Sequence, residues 1–451
     1  MECFIVYSDK IEGRMDPFYY KPEFREFKKA LTSIKVEKLG DIANFQYGLN
    51  EIAKENGDII YIRITDIDEN GLLKKDELAY LDYKDEYANY KLQNGDLLIA
   101  RIGATFGKSF YFNENLNAVF AGYLIRIKLK TNQLNPKFLF YFFQTQYFKN
   151  QARMLVRGGA QPQFNANTIK DLLIPILPLQ TQNHVVTLMD KVYFSKKTKE
   201  SEAQKLLDSI DTYVLNELGI KLPELKDKLS YIVNSNELEG KRVDPYYYQP
   251  KFKELEKAIE NSKFGVVNVG TKLNILDKLE DINKYTYINY VDLSSVNKSL
   301  GLITNYNKLN PSEAPSRAKQ KIEKGDLLLS GLSGSLKSIA VFDNSFDNAI
   351  CSTGFYVIKS SENYNNYFLW ALFRTDIFQL ILQREASGAI MSAINREAFV
   401  NLKIPLPSLT IQNKIADEVK KRIEEAKRLQ KEAEKELVNA KQEVEALILN
   451  S

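Results

Sequence analysis

The chain has 451 residues, with 62 Lys and Arg against 58 Asp and Glu, two cysteines and one histidine, a length that allows two to four domains each burying its own core. A net charge of +4 is too small by itself to mark a nucleic-acid binder. Cys3 and Cys351 make neither a disulfide framework nor a zinc site, so a cytoplasmic location is expected. The opening apolar run is too short for a signal peptide and no stretch approaches membrane-spanning length, so no membrane partner is expected.

Taken in order, the chain opens on Asp16-Pro17-Phe18-Tyr19-Tyr20, followed by a helix with Pro22 in its first turn, where the missing N–H costs nothing. Strands are expected over 59–64, 96–100, 110–112 and 121–127, and an aromatic helix from Pro136 to about Met154. A glycine-bearing loop at 157–165 leads into a short apolar strand ending in Ile174-Pro175. A long helix then carries Leu188, Val192, Ala203, Leu206, Ile210, Val214 and Leu218 on one stripe. Its middle, 196–202, is polar and expected to face solvent.

The same order then repeats. Asp244-Pro245-Tyr246-Tyr247-Tyr248 precedes a second helix, with Pro250 in its first turn and Phe252, Leu255 and Ile259 on one buried stripe. Strands are expected over 285–290, 326–330 and 354–358, and a helix from about 364 to 385. Gly95-Asp96-Leu97-Leu98 is answered by Gly325-Asp326-Leu327-Leu328, Gly158 by Gly388, Asn165 by Asn395, Ile174-Pro175 by Ile404-Pro405 and Gln182-Asn183 by Gln412-Asn413, each pair 230 positions apart. The opening pair lies 228 apart, so a small insertion or deletion separates it from the rest. Landmarks that stay in order and in phase across the chain mean two copies of one mixed α and β module. The last helix repeats Ile415, Val419, Ile423, Ala426, Leu429, Ala433, Leu437, Ala440, Val444 and Leu447 by threes and fours. Such a seam is stable only when another helix covers it. Forty residues of helix span about 60 Å, and the simplest arrangement pairs the two long helices with each other.

Catalytic chemistry is sought and not found. Asp16-Pro17-Phe18-Tyr19 resembles an amino-methyltransferase signature, but the third position is wrong in both copies and no glycine-rich turn precedes it. Gly103-Ala104-Thr105-Phe106-Gly107-Lys108-Ser109 resembles a P-loop with one residue too few, and the second copy has Ser333-Gly334-Ser335-Leu336-Lys337 there. His184 has Lys414 as its counterpart and reads as a surface residue, which leaves no histidine-based triad or metal site. No catalytic and no metal-binding residue is expected.

Two related but divergent modules suit a ligand with two unlike sites. They differ where contacts are expected: Arg63 against Asn289, Arg101 against Gly331, Gln161-Pro162-Gln163 against Met391-Ser392-Ala393. Arg, Gln, Ser and Thr hydrogen-bond base edges, and lysines suit phosphates. The expected DNA contacts are Arg63, Arg101, Thr105, Lys108, Arg157, Gln161 and Gln163 in the first copy, and Ser333, Lys337, Ser387, Ser392 and Arg396 in the second. The aromatic openings, Phe18, Tyr19 and Tyr20 with Tyr246, Tyr247 and Tyr248, are the expected protein-docking surfaces.

These doubled motifs, above all Gly-Asp-Leu-Leu, Gly158-Gly159-Ala160-Gln161-Pro162-Gln163-Phe164-Asn165 and Ile174-Pro175-Ile176-Leu177-Pro178-Leu179-Gln180-Thr181-Gln182, resemble the specificity subunit of type I restriction–modification systems over essentially the whole chain. The second copy departs from the usual Gln-Pro loop. The resemblance implies an α+β fold, with two pseudo-symmetric mixed α/β target-recognition domains separated by two long helices forming an antiparallel coiled coil. The expected boundaries are 1–175 and 226–405 for the recognition domains, and 176–225 and 406–451 for the helical regions. It also implies a non-catalytic subunit whose domains each read one half of a bipartite double-stranded DNA target, while the coil sets the gap and docks methyltransferase subunits. Restriction/translocase subunits complete the implied assembly, and S-adenosylmethionine, ATP and Mg are expected on the partner subunits, with no cofactor in this chain. The alternatives are a stand-alone two-headed DNA-binding regulator and a coiled-coil protein scaffold.

Overall fold

The computed structural model describes residues 5–7, 11, 20–21, 34–102, 105–156, 164–235, 238, 244–343, 346–386 and 393–449. The chain divides into two compact units, one of residues 1–198 with 432–451, the other of residues 199–431. Both cuts fall inside long helices, so each unit holds a globular part and a length of each long helix.

In the first unit β1 (Val36–Lys38) leads through a single helical turn, α1 (Leu39–Ile42), to β2 (Ala43–Tyr47). β3 (Ile59–Ile62), β4 (Tyr80–Leu81), β5 (Leu97–Ala100), β6 (Ser109–Tyr111), β7 (Ala118–Phe120) and β8 (Leu124–Leu129) follow. They form a four-stranded sheet in the order β2-β8-β5-β6 and a three-stranded sheet in the order β4-β3-β7. β3 and β7 run parallel, with Ile60 opposite Ala118. All four residues of β5 are buried, which explains why this strand reads as a continuous apolar run with no alternation. Gly95, just before it, sits at φ 96°, a left-handed turn position that favours glycine. Gly325 repeats this at φ 93°, so the Gly-Asp landmark is a backbone requirement.

The expected aromatic helix is two helices, α2 (Pro136–Phe142) and α3 (Gln146–Leu155). Thr145 separates them: its backbone is extended, and its hydroxyl donates to the Phe142 carbonyl at 2.7 Å and accepts from the Phe148 amide. Phe138, Leu139, Phe140, Tyr141 and Phe142 are all buried, so α2 runs through the core, apolar on every side. A short helix, α4 (Ala166–Lys170), is capped by Asn165, whose side chain accepts from the Asn167 and Thr168 amides. The Ile-Pro strand β9 (Leu173–Pro175) pairs antiparallel with β1 in a two-stranded ribbon, where a proline at the strand end interrupts no further ladder.

Helix α5 (Leu179–Leu218) spans both units. The second unit then starts its own entry helix, α6 (Pro250–Glu260), with Pro250 in the first turn and Phe252, Leu255 and Ile259 buried as the spacing predicts. The corresponding helix at Pro22 lies outside the described residues. β10 (Val266–Asn268), α7 (Val269–Lys272), β11 (Ile288–Val291), β12 (Val296–Asn297), β13 (Leu302–Ile303), β14 (Asn307–Leu309) and β15 (Ala318–Lys321) come next. They are followed by β16 (Leu327–Ser330), β17 (Ile339–Val341), β18 (Ala349–Ser352) and β19 (Phe355–Ile358). Sheets of order β14-β11-β18-β15 and β17-β16-β19 result, with β12 and β13 as a separate ribbon; β11 and β18 are again the parallel pair. α8 (Asn366–Arg374) and α9 (Asp376–Glu385) are separated by buried Thr375, whose hydroxyl donates to the Leu372 carbonyl at 2.7 Å. α10 (Arg396–Asn401) is capped by Asn395, and β20 (Lys403–Pro405) pairs with β10 before the last helix, α11 (Leu409–Leu449).

In each unit the two long helices run antiparallel. Ser195 and Lys196 face Glu436 and Glu434 in the first unit, and Ser209 and Glu217 face Arg422 and Lys414 in the second. The seam is the expected one, shifted at two places. Val185 and Met189 are buried where Leu188 and Val192 were expected to lead, and Ile448 is buried where Leu447 was expected. The polar middle of α5 is mostly exposed, as expected, with Lys196 only 13% exposed where it lies against Glu434.

The Gln-Asn landmark has a structural cause. The Gln182 side chain, fully buried, accepts from the Asn135 amide at 2.7 Å and donates to the Gln133 and Leu177 carbonyls, while Asn135 Nδ2 donates to Asn183 Oδ1. Gln412 and Asn413 do the same with Asn365 and the Pro407 carbonyl. The first turn of each long helix is thereby tied to the N-cap of its aromatic helix. Removing such a partner strands buried amides and carbonyls, so Gln182→Ala is expected to cost about 2–4 kcal/mol, read as a lower urea midpoint at unchanged m-value.

Candidate nucleic-acid interface

Arg101 and Gly331 hold the same place in the two copies. The Arg101 amide donates to the Tyr123 carbonyl and its own carbonyl accepts from the Phe164 amide; Gly331 makes the equivalent bonds with Gly354 and Ile394. The backbone therefore fastens the end of the central strand to the far end of the glycine loop in both, and only the side chain changes. Arg101 Nε donates to the Gly122 carbonyl at 2.9 Å, and its guanidinium lies between the rings of Tyr47 and Tyr123, 5.3 and 5.9 Å from their centroids. Those tyrosines are 44% and 55% exposed and Arg101 is half-buried, so the three side chains form one platform that is partly open to solvent. Tyr47 also accepts from the Ala166 amide through its hydroxyl, which pins the platform to the loop's exit. Nothing in the composition pointed to Tyr47 and Tyr123; they are brought to Arg101 by sheet pairing between β2 and β8.

In the second copy the place of the platform is filled inward. A Cβ on Gly331 would meet the Tyr356 ring at 2.9 Å, and Tyr356 stacks on Phe399 at 4.0 Å and donates to the Ile394 carbonyl. Burial raises the Tyr356 phenol above its ordinary range. The two loops thus present different chemistry from one frame.

The other expected contacts divide into three sets. Arg157, Gln161, Gln163, Ser387 and Ser392, with Phe18 and Tyr19, lie outside the described residues. Arg63 is engaged within its own turn, though its side chain stays 37% exposed: its guanidinium makes a two-nitrogen pair with buried Asp66, 2.7 Å at the closest, and donates to the Glu77 carbonyl. Asn289, its counterpart, is buried and donates to the Asp347 carbonyl, so this difference between the copies falls on internal bonding. Arg396 is half-exposed and paired with Asp277. Thr105 and Lys337 are exposed and Ser333 half-buried, all on the turns that follow the central strands. Lys108 donates to the Ile67 carbonyl at 2.5 Å, and burial lowers its ammonium below the usual lysine range.

Of the aromatic openings, Tyr20 is half-buried. Tyr246 packs edge-on against Phe252 and Tyr247 lies under the Arg384 guanidinium at 4.9 Å, while Tyr248 meets Tyr247 edge-on. Asp244 caps this turn by accepting from the Tyr246 amide. The turn is therefore bound to its own unit while all three rings keep part of their surface exposed. His184 is exposed, and among the described residues no group of three or more His, Cys, Asp or Glu is placed to hold a metal. No described helix is long and apolar enough to cross a membrane.

Comparison with known proteins places this geometry. The family described as the type I restriction modification DNA specificity domain matches residues 33–210 and again 264–439, reproducing the duplication. The type I restriction enzyme MjaVIII specificity subunit of Methanocaldococcus jannaschii is 22% identical over 196 residues, which cover 42% of this chain and 45% of the relative; the match thus spans just under half of that protein's length. A chain from a structure titled for complex assembly and conformational transition of the type I R-M system aligns over 92% of this chain and 96% of its own, with a TM-score of 0.50 at 16% identity, a likeness of fold. The S subunit of a type I restriction-modification system from M. genitalium aligns over 92% and 95%, with a TM-score of 0.47 at 12% identity. Matched twice, over most of its length, this chain belongs to the type I restriction modification DNA specificity domain family.

Proposed function

We propose that the chain is the specificity subunit of a type I restriction–modification assembly, a non-catalytic reader of a bipartite duplex target. One observation carries the reading. The frame of the two copies is kept down to individual hydrogen bonds, those made by Gln182 and again by Gln412, and by the backbone of Arg101 and again of Gly331, while the outward side chains on that frame differ. Two modules under common folding constraints and unlike surface chemistry suit two unlike half-sites better than a repeated protein scaffold does.

In this reading the Arg101 platform addresses base edges at one half-site, with Thr105 and Lys108 beside it, and Arg157, Gln161 and Gln163 complete the same loop. Ser333, Lys337, Ser387, Ser392 and Arg396 serve the other. Arg63 acts from beneath, holding its turn through Asp66. The paired helices set the unread gap, and the exposed parts of Tyr20 and Tyr246–Tyr248, with Phe18 and Tyr19, dock methyltransferase subunits. S-adenosylmethionine, ATP and Mg belong to those subunits and to the restriction/translocase partners. A stand-alone regulator is less well supported, since a net charge of +4 gives little phosphate attraction for tight binding without partners.

Methylation mapping in a host that expresses this chain with a cognate methyltransferase tests the proposal: a two-part motif with adenine in both halves is expected, and a single continuous motif would overturn it. In the same assay Arg101→Ala relaxes base choice at one half-site by about 1–3 kcal/mol per lost bidentate contact and leaves the other intact. Arg63→Ala gives the opposite pattern, an unfolding loss of about 1–3 kcal/mol from the stranded Asp66 with the motif unchanged. Seven residues inserted beside both Ser209 and Arg422, which face each other, change the gap and neither half-site.

A further inference from the structure

The first unit carries a groove of about 440 Å³ that Thr105 and Lys108 line and that extends past them to residues outside the expected contacts. Its floor is aromatic, from Phe106, Phe143 and Phe148. Its walls carry Lys108, Lys149 and Arg153, and the last helix adds Lys441. Lys149 and Arg153 project one turn apart from α3, the helix that runs directly into the glycine loop, and both are exposed. Lys149, Arg153 and Lys441 make no side-chain hydrogen bond and no ion pair among the described residues. Glu69 is the one carboxylate among the lining residues. Nearby acids are already engaged: Asp68 accepts from the Asn70 and Leu72 amides, and Glu434 faces Lys196. Burial, and next the Lys149 charge, lower the Lys441 ammonium below the usual lysine range.

Four cations gathered around a concave wall against one lining carboxylate are held at a cost, which an anion relieves. The second copy shows that the fold does not require them. Gln379 and Gln383 stand where Lys149 and Arg153 stand, 230 positions on, and Gln379 spends its amide inward on the Phe373 and Leu336 carbonyls. The positive groove is therefore a property of one copy.

We propose that this groove is a phosphodiester site, in which Lys149, Arg153 and Lys441, beside the Thr105–Lys108 turn, hold backbone phosphates of the duplex whose bases face the first loop. The proposal rests on the DNA-reading function above and adds to it: the last helix supplies a phosphate contact to the first reading module, and phosphate affinity is concentrated on one half-site. Such contacts position the duplex without reading sequence.

The full chain is titrated with a fluorescently labelled random-sequence duplex across a range of NaCl, reading anisotropy. Lys149→Gln/Arg153→Gln/Lys441→Gln is compared with the charge-matched control Lys128→Gln/Lys130→Gln/Lys170→Gln, three exposed lysines of the same unit lining no part of the groove. The groove variant is expected to lose roughly 10- to 100-fold in affinity at low salt, and the slope of log K against log salt to fall by about 2–3, while the control stays near wild type. A wild type that binds and a groove variant that matches the control overturn the groove and leave the DNA-reading function standing. A wild type that binds no duplex even at the lowest salt overturns the groove and leaves the DNA-reading function to the methylation map. Thermal unfolding with millimolar inorganic phosphate separates the remaining source: a phosphate-dependent rise in Tm for wild type alone, with equal duplex slopes, assigns the groove to a free phosphate and overturns the DNA assignment. Lys441→Gln alone, which removes a partly buried unpaired charge, unfolds no earlier than wild type and carries part of the slope change.

Discussion

A forty-residue helix with an apolar stripe is unstable alone, and everything here depends on that stripe being covered twice over. In each unit the long helices cover one another antiparallel, and the same stripe packs against the buried aromatic helix, so that Val185, Met189, Leu437 and Val444 belong to one core with Phe138 and Phe142. In the second unit Val214, Leu218, Ile415 and Val419 share a core with Phe368 and Trp370. The helices thus join each globular core, and away from those cores Ala203 packs against Ala426 and Leu429 in a cluster made by the two helices alone. Gln182 and Gln412 make that union specific. A buried amide with three partners at Gln182 and two at Gln412 tolerates one placement of the helix start, where apolar packing alone would allow sliding.

The frame and the reading surface answer to different constraints. Gly95 and Gly325, Thr145 and Thr375, Asn165 and Asn395 recur because a left-handed turn, a helix break and an N-cap each need those residue types. Where the frame needs only a role, the residue drifts: Asp96 is paired by Arg126 from within a strand, and Asp326 by Lys359 from just beyond one. Where neither constraint acts, the copies part company. The Arg101 platform, set between two exposed tyrosines, has no counterpart at Gly331, and the charged groove of α3 has neutral glutamines opposite it.

Charge placement, more than charge total, matches the proposed role. A net charge of +4 over 451 residues says little, yet the first unit gathers Lys108, Lys149, Arg153 and Lys441 around one aromatic floor. Arginine is used in both ways open to it. Arg63 and Arg384 are spent on carboxylates and serve the fold, whereas Arg101 gives only Nε to a carbonyl and sets its plane against two tyrosine rings.

Much of this was legible in the sequence, for physical reasons. Period and phase established the duplication, the helix seams, the buried central strands and the Pro250 helix, because a 3.6-residue stripe and a continuous apolar run each have one stable use. The resemblance to specificity subunits followed from the doubled motifs, and the family match bears it out. What the sequence could not decide is what depends on residues far apart meeting. Arg63 and Arg101 look alike in the chain, and only sheet pairing and the Asp66 turn send one into an ion pair and the other to Tyr47 and Tyr123. The pairing of β1 with β9, the break at Thr145 and the arrival of Lys441 beside Lys149 are likewise tertiary decisions. Each rests on contacts between segments dozens to hundreds of positions apart, for which local pattern carries no signal.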